Sequence, residues 1–78
     1  MVEQIKIAQE WLKTQVITKS VNRNHTSYGY KHMAEKWAKM YISNEAMIEA
    51  VKLLKIPYNY SRKNKKNIFV ALSERTLS

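Results

Sequence analysis

Cysteine and aspartate are both absent from the 78-residue chain, and glycine and proline occur once each. The first absence removes disulfides, Cys-ligated zinc and a thiolate nucleophile together. A lone glycine and a lone proline exclude a glycine-rich phosphate loop and a proline-rich linker. The longest apolar run, Ile68 to Leu72, falls far short of the roughly 20 residues that cross a bilayer. Lys6, Glu10 and Lys13 break up the N-terminal segment, so it does not read as a signal peptide. The expectation is a single small domain over residues 1–78 in the cytoplasm, with no membrane partner.

Negative charge is scarce. Six acidic residues, all Glu, stand against fourteen Lys and Arg, for a formal charge of +8. A basic surface of that size repels itself and is relieved by a partner of opposite sign, nucleic acid first among them. The hydrophobic fraction of 45% is that of an ordinary globular domain, so the charge does not signal disorder.

Hydrophobic spacing divides the chain into four segments. Ile5, Ala8, Trp11, Leu12 and Val16 recur at helical steps and predict a first helix from Val2 to about Thr18. Ser20 to Ser27 is polar and aperiodic and reads as a loop, with Thr26 or Ser27 capping the next helix. Tyr30, Met33, Ala34, Trp37, Ala38 and Tyr41 mark that second helix over Tyr28 to Lys39, with Trp11 and Trp37 as core anchors. A third helix starts at the N-cap Ser43, has Glu45 in its first turn, and ends near Lys55 because Pro57 cannot continue it. Ile42 and Met47 have the spacing of a hydrophobic staple. Beyond Pro57 the period becomes alternating. Tyr58 and Tyr60 on one side and Ile68, Val70 and Leu72 on the other predict a β-hairpin with a charged tip. Residues 73–78 are expected to fray.

This order predicts an α+β fold: three helices, the last two forming a helix-turn-helix pair, followed by a C-terminal hairpin in the manner of a winged helix. The alternative is an α+β domain with the hairpin laid flat on the helices.

The tip, Arg62-Lys63-Asn64-Lys65-Lys66-Asn67, concentrates cations and amides suited to phosphate contact. Lysines at strand ends also discourage edge-to-edge aggregation, which is the plainer explanation. Lys31, Lys36 and Lys39 give the second helix a basic face, which Arg23 and His25 extend. The candidate nucleic-acid contacts are therefore Lys31, Lys36, Lys39, Arg62, Lys63, Lys65 and Lys66. The third helix argues differently, because Asn44, Glu45 and Glu49 occupy the half that usually enters the major groove. Those three residues suit a protein partner. Tyr58 and Tyr60 are assigned to core packing, with stacking on unpaired bases as the alternative.

Catalysis finds little support. His25, His32 and the glutamates are the conventional acid–base groups, and His32 with Glu35 reads as a surface pair. Two scattered His without Cys or Asp suggest no metal site, and no cofactor is expected. The chain reads as a non-enzyme.

Ser27-Tyr28-Gly29-Tyr30-Lys31-His32 with Glu35, followed by Tyr41-Ile42-Ser43-Asn44-Glu45 with Ile48 and Ala50, resembles small proteins of phages, plasmids and other bacterial mobile elements. Those read approximately SYGLKH..E, then Y(I/V)SN...I.AA, and commonly carry a glycine-containing turn after the second of the two helices. Here that turn is Lys55-Ile56-Pro57-Tyr58. The resemblance spans residues 27–60 and implies an accessory protein of a mobile element.

Two functions are expected on these grounds. One is a nucleic-acid-binding regulator or replication accessory that contacts phosphates through the hairpin tip and second helix. The other is an inhibitor of a host defence complex, such as an anti-CRISPR or anti-restriction factor, acting by protein–protein binding. A replicase of the element is a third kind of partner. A domain of this size can also form a homodimer, although its apolar stripes can all be used within one core.

Overall fold

The computed structural model describes residues 2–63 and 66–77, so Met1, Asn64, Lys65 and Ser78 lie outside the described residues. The chain folds as three helices and a three-stranded antiparallel sheet: α1 (Val2–Lys13), β1 (Ile17–Asn22), α2 (Ser27–Ala38), α3 (Asn44–Leu53), β2 (Tyr58–Tyr60) and β3 (Ile68–Leu72). A short 3-10 turn, Glu74–Thr76, comes last. No helix among the described residues is long and apolar enough to cross a membrane.

The α+β class, the three helices and the hairpin strands match expectation, whereas the first loop does not. Helix α1 ends at Lys13, and the segment read as helix and loop contains strand β1. The Thr14 hydroxyl and N–H both turn back to the Trp11 carbonyl, and Gln15 N–H bonds the Leu12 carbonyl. These i→i+3 closures tighten and stop the helix. Ile17, Thr18 and Val21, β-branched and comfortable in a strand, then belong to β1, which pairs with β3. The register slips between Ile17 and Asn22, as at a bulge, which hides the alternation that marks a strand.

The sheet order is β1-β3-β2, so β3 is central. Its Ile68, Val70, Ala71 and Leu72 are all buried. They complete a core with Ala8, Trp11 and Leu12 of α1, Tyr30 and Ala34 of α2, and Ala46, Met47, Ala50 and Val51 of α3. Trp11 is the core anchor expected of it. Trp37 is not: it stands 51% exposed in the last turn of α2, because the helix runs on beyond the core that buries Tyr30 and Ala34.

The turn between α2 and α3 is held by side chains from two helices. Lys39 ends α2 in the left-handed conformation, φ 58°, which reverses the chain. Ile42 N–H then donates to Glu35 Oε2 at 3.0 Å, and Ser43 N–H donates to Gln4 Oε1 of α1 at 2.9 Å. The Ser43 hydroxyl accepts from Ala46 N–H at 3.1 Å as the N-cap of α3, and Ile42 and Met47 are both fully buried.

Residues 73–77 are tied down rather than frayed, and Ser78, the last residue of the expected fray, lies outside the described residues. Ser73 N–H donates to the Val16 carbonyl, and Val16 N–H donates to the Thr76 hydroxyl. Glu74 gathers Asn22 (3.0 Å), Asn24 (3.2 Å) and His25 (2.9 Å) around its carboxylate. Those hydrogen bonds hold its pKa below the ordinary carboxylate value.

Candidate functional site

An open groove of about 770 Å³ runs along the outer face of α3. Asn44, Glu45, Ile48 and Lys52 of α3 line it, with Tyr28 of α2 and Tyr60, Lys66 and Asn67 of the hairpin. Helical spacing explains the α3 contribution, since residues three and four apart share a face while Met47, Ala50 and Val51 point into the core. Two half-exposed aromatics, Tyr28 and Tyr60, give the groove apolar ring surface.

The hairpin is docked onto the start of α3. The Asn44 amide donates to the Lys66 carbonyl at 3.0 Å and to Asn67 Oδ1 at 2.8 Å, which sets the distance between groove wall and helix. The price is a buried Asn44 carbonyl oxygen with no partner among the described residues. Further along, the Lys52 ammonium lies 5.9 Å from the Tyr58 ring centre and 5.8 Å from that of Tyr60. The polar Tyr60 hydroxyl beside it, and then Tyr58 and nearby Glu49, raise the Lys52 pKa above its ordinary value. Tyr58 and Tyr60 meet edge to face, with ring centres 5.9 Å apart. Tyr58 packs against the core as expected, whereas Tyr60, expected in the core, is 54% exposed because it sits at the tip end of its strand.

Of the seven cations proposed as phosphate contacts, the six among the described residues do not form one surface. Lys31 is nearly fully buried, with its ammonium 3.4 Å from Glu35 Oε2 and over the rings of Tyr28 (5.4 Å) and Tyr41 (5.0 Å). Its charge is engaged within the fold. Lys36 and Lys39 are exposed at the far end of α2, about 15 Å along the helix from the end that meets the hairpin. Arg62, Lys63 and Lys66 are exposed on the hairpin, and Lys66 lines the groove. Lys65 lies outside the described residues. Of the residues proposed for a protein partner, Asn44 and Glu45 line the groove, and Glu49 is exposed on the same helix beside Lys52. Arg23 stands over the Phe69 ring at 5.5 Å, and His25 is paired with Glu74.

Sequence reasoning did not pick out Tyr28, Ile48 and Lys52 as site residues, and it took Asn67 only as part of the charged tip. Lys52 carried a usable signal, being one helical turn beyond Ile48 on the solvent side of a predicted helix. Tyr28 and Asn67 come together only through the tertiary fold.

Glu35 accepts from Ile42 N–H, from Lys31 and from His32 Nδ1 (3.0 Å). Burial opposes its charge, but the backbone hydrogen bond and the two basic neighbours outweigh it and hold its pKa below the usual carboxylate range. Tyr30 moves the other way: burial, then the negative charge of Glu74, push its hydroxyl up to about 12. Both groups support the fold rather than line the groove. Among the described residues no three His or Glu side chains gather as metal ligands. No protein-family model matches the chain, and no characterised protein or solved structure is significantly similar to it.

Proposed function

We propose that this chain is a winged-helix-type nucleic-acid-binding protein, a cytoplasmic accessory or regulator of a phage or other bacterial mobile element. The path of the chain carries the reading. Elements run α1, β1, α2, α3, β2, β3, and the β2–β3 hairpin stands beside the exposed face of α3, with the first strand closing the sheet against β3. That is the order of a minimal winged helix, with α3 as the presented helix and the hairpin as its wing. Arg62, Lys63, Lys66 and Lys52 supply cations to this side, and a net charge of +8 supplies long-range attraction. The mobile-element context rests on the pattern from Ser27 to Ala50. A binding role rather than catalysis is favoured because His25 and His32 are both engaged with structural carboxylates, Glu74 and Glu35.

Fluorescence anisotropy with labelled duplex and single strands across a salt series tests the proposal. Affinity should fall steeply with salt. The pair Lys63→Glu with Lys66→Glu should weaken binding and flatten the slope by about 1.4 to 1.8, two phosphate contacts' worth. Absence of binding to either form at low salt refutes it.

One observation favours a second reading. Glu45 lines the groove and Glu49 shares its helix, and carboxylates there repel phosphates while suiting a basic protein surface. On that reading the chain inhibits a host defence complex or engages a replicase. Co-elution with such a purified complex, without nucleic-acid binding, would select it.

A further inference from the structure

The groove presents half-exposed ring surface beside a cation and a carboxylate, a combination with little use against a duplex. From this we infer that the groove takes an unpaired base of a single-stranded nucleic acid, stacked on Tyr60 or Tyr28, with its amino edge toward Glu45. The inference rests on the nucleic-acid reading above and names which form is bound and how.

In a duplex every base face is already stacked, so tyrosine rings on the protein surface find no partner there. In a single strand each base offers a free face, and a ring such as Tyr60 supplies the stacking that solvent cannot. The two tyrosines that line the groove are each 54% exposed, on different elements, and share it with the apolar Ile48. The groove thus offers ring surface where α3 and the hairpin meet.

The acidic start of α3, which speaks against insertion into a major groove, fits this arrangement. A helix entering the major groove carries Glu45 and Glu49 between two rows of phosphates. When the base rather than the backbone faces the helix, Glu45 meets hydrogen-bond donors. A carboxylate accepts from exocyclic amino groups, as it does from cytosine N4, and thymine has none to give. The charges divide accordingly along the groove. Lys52, beside Tyr58 and Tyr60, and Lys66 on the hairpin lie where the phosphates flanking a stacked base pass. Asn44 holds the hairpin to the helix through Lys66 and Asn67, so the walls are set before a ligand arrives.

The probes are labelled oligo-dC, oligo-dT and a mixed-sequence duplex with the same number of phosphates, titrated with the full chain at fixed low salt. Oligo-dC should bind more tightly than the duplex. Tyr60→Ala or Tyr28→Ala, whichever ring carries the base, should cost roughly tenfold or more on the single strand and leave the duplex unchanged. Full single-strand affinity in both variants would overturn the stacked base. Both side chains are exposed, and circular dichroism checks that each variant is folded. Oligo-dC should exceed oligo-dT by roughly tenfold, and Glu45→Gln should shrink that ratio. Equal affinity for the two oligonucleotides would overturn the role given to Glu45. A duplex bound as well as the single strands, or tyrosine variants that weaken both forms alike, would overturn the unpaired-base site while leaving a nucleic-acid-binding protein. Failure to bind any of the three would overturn both.

Discussion

Replacing Ser27 with Ala should destabilise the domain far more than a missing hydroxyl suggests. On β3, Ala71 N–H bonds the Pro57 carbonyl and the Asn67 carbonyl accepts from Ser61 N–H, so the odd-numbered residues serve β2. Ladder alternation then points the backbone of Ile68, like that of Val70 and Leu72, toward the β1 side. Strand β1 ends at Asn22, opposite Val70, two residues short of Ile68. The fully buried Ser27 hydroxyl, at the first residue of α2, fills the gap by accepting from Ile68 N–H at 3.1 Å. Ser27→Ala would leave that buried donor unsatisfied, which costs about 1–3 kcal/mol. For a domain of this size a central value of about 2 kcal/mol lowers Tm by roughly 8–16 °C. Thermal and urea melts followed by far-ultraviolet circular dichroism would measure both quantities, with the urea slope unchanged. Ser20→Ala, at an exposed position of β1, is the control and should stay within about 0.5 kcal/mol of the parent. A loss below about 0.5 kcal/mol for Ser27→Ala would refute the assignment of its hydroxyl as the end of the β1–β3 ladder.

Acid, the two tryptophans and one left-handed lysine give three more tests. Glu35 and Glu74 both have folded pKa values below the ordinary 4.5. Their stabilisation is therefore complete above that value and is lost as pH falls through the folded pKa values; a pH series of melts should show Tm falling on acidification, less steeply in Glu35→Gln. Trp11→Ala should cost about 3–5 kcal/mol, whereas Trp37→Ala should cost about 1 kcal/mol or less, and urea titration of the pair checks the contrast. Lys55 holds φ at 57°, a left-handed conformation that favours glycine, so Lys55→Gly should raise stability by about 0.5–1 kcal/mol in the same titration.

How much of the fold a sequence displays depends on whether the cause of each element is local. Helices α2 and α3 are written in consecutive residues: the stripe through Tyr30 and Ala34, the cap at Ser43, the stop at Pro57. The hairpin shows itself by alternation around a charged tip. Strand β1 has no such signature, because its cause lies some 50 to 60 residues away. Val16 would extend the α1 stripe, but its N–H and carbonyl are claimed by Thr76 and Ser73, and Asn22 is fixed by the Leu72 carbonyl and Glu74. The same contacts explain why Ser73 to Thr76 are held in place. Lys55 shows the reverse case, a backbone requirement met without glycine and so without a sign in the residue type.

The proposed binding surface follows from charge in the sequence only as an expectation, and its place does not follow at all. A charge of +8 is an attraction for polyanions in general, yet charge counting gives no direction, and Lys31 shows the consequence. It belongs to the basic face of α2 on a helical projection, but two tyrosine rings and Glu35 enclose it. The residues with the strongest local patterns are the ones most engaged inside the molecule. Ser27 ends a ladder, Glu35 and Gln4 hold a turn, Ser43 caps a helix, and Asn44 docks the hairpin. A domain this short has little core to fix its turns, so its polar side chains must do so. A pattern running from Ser27 through Glu35 to Asn44 therefore specifies an architecture before it specifies a chemistry. The chemistry falls to groups the scaffold leaves exposed to solvent, and Tyr28, Glu45, Lys52 and Tyr60 come from three different elements with no common spacing. Only the packing of α2, α3 and β2 puts them in one groove, which is why the groove, rather than the basic tip alone, is where binding should be sought.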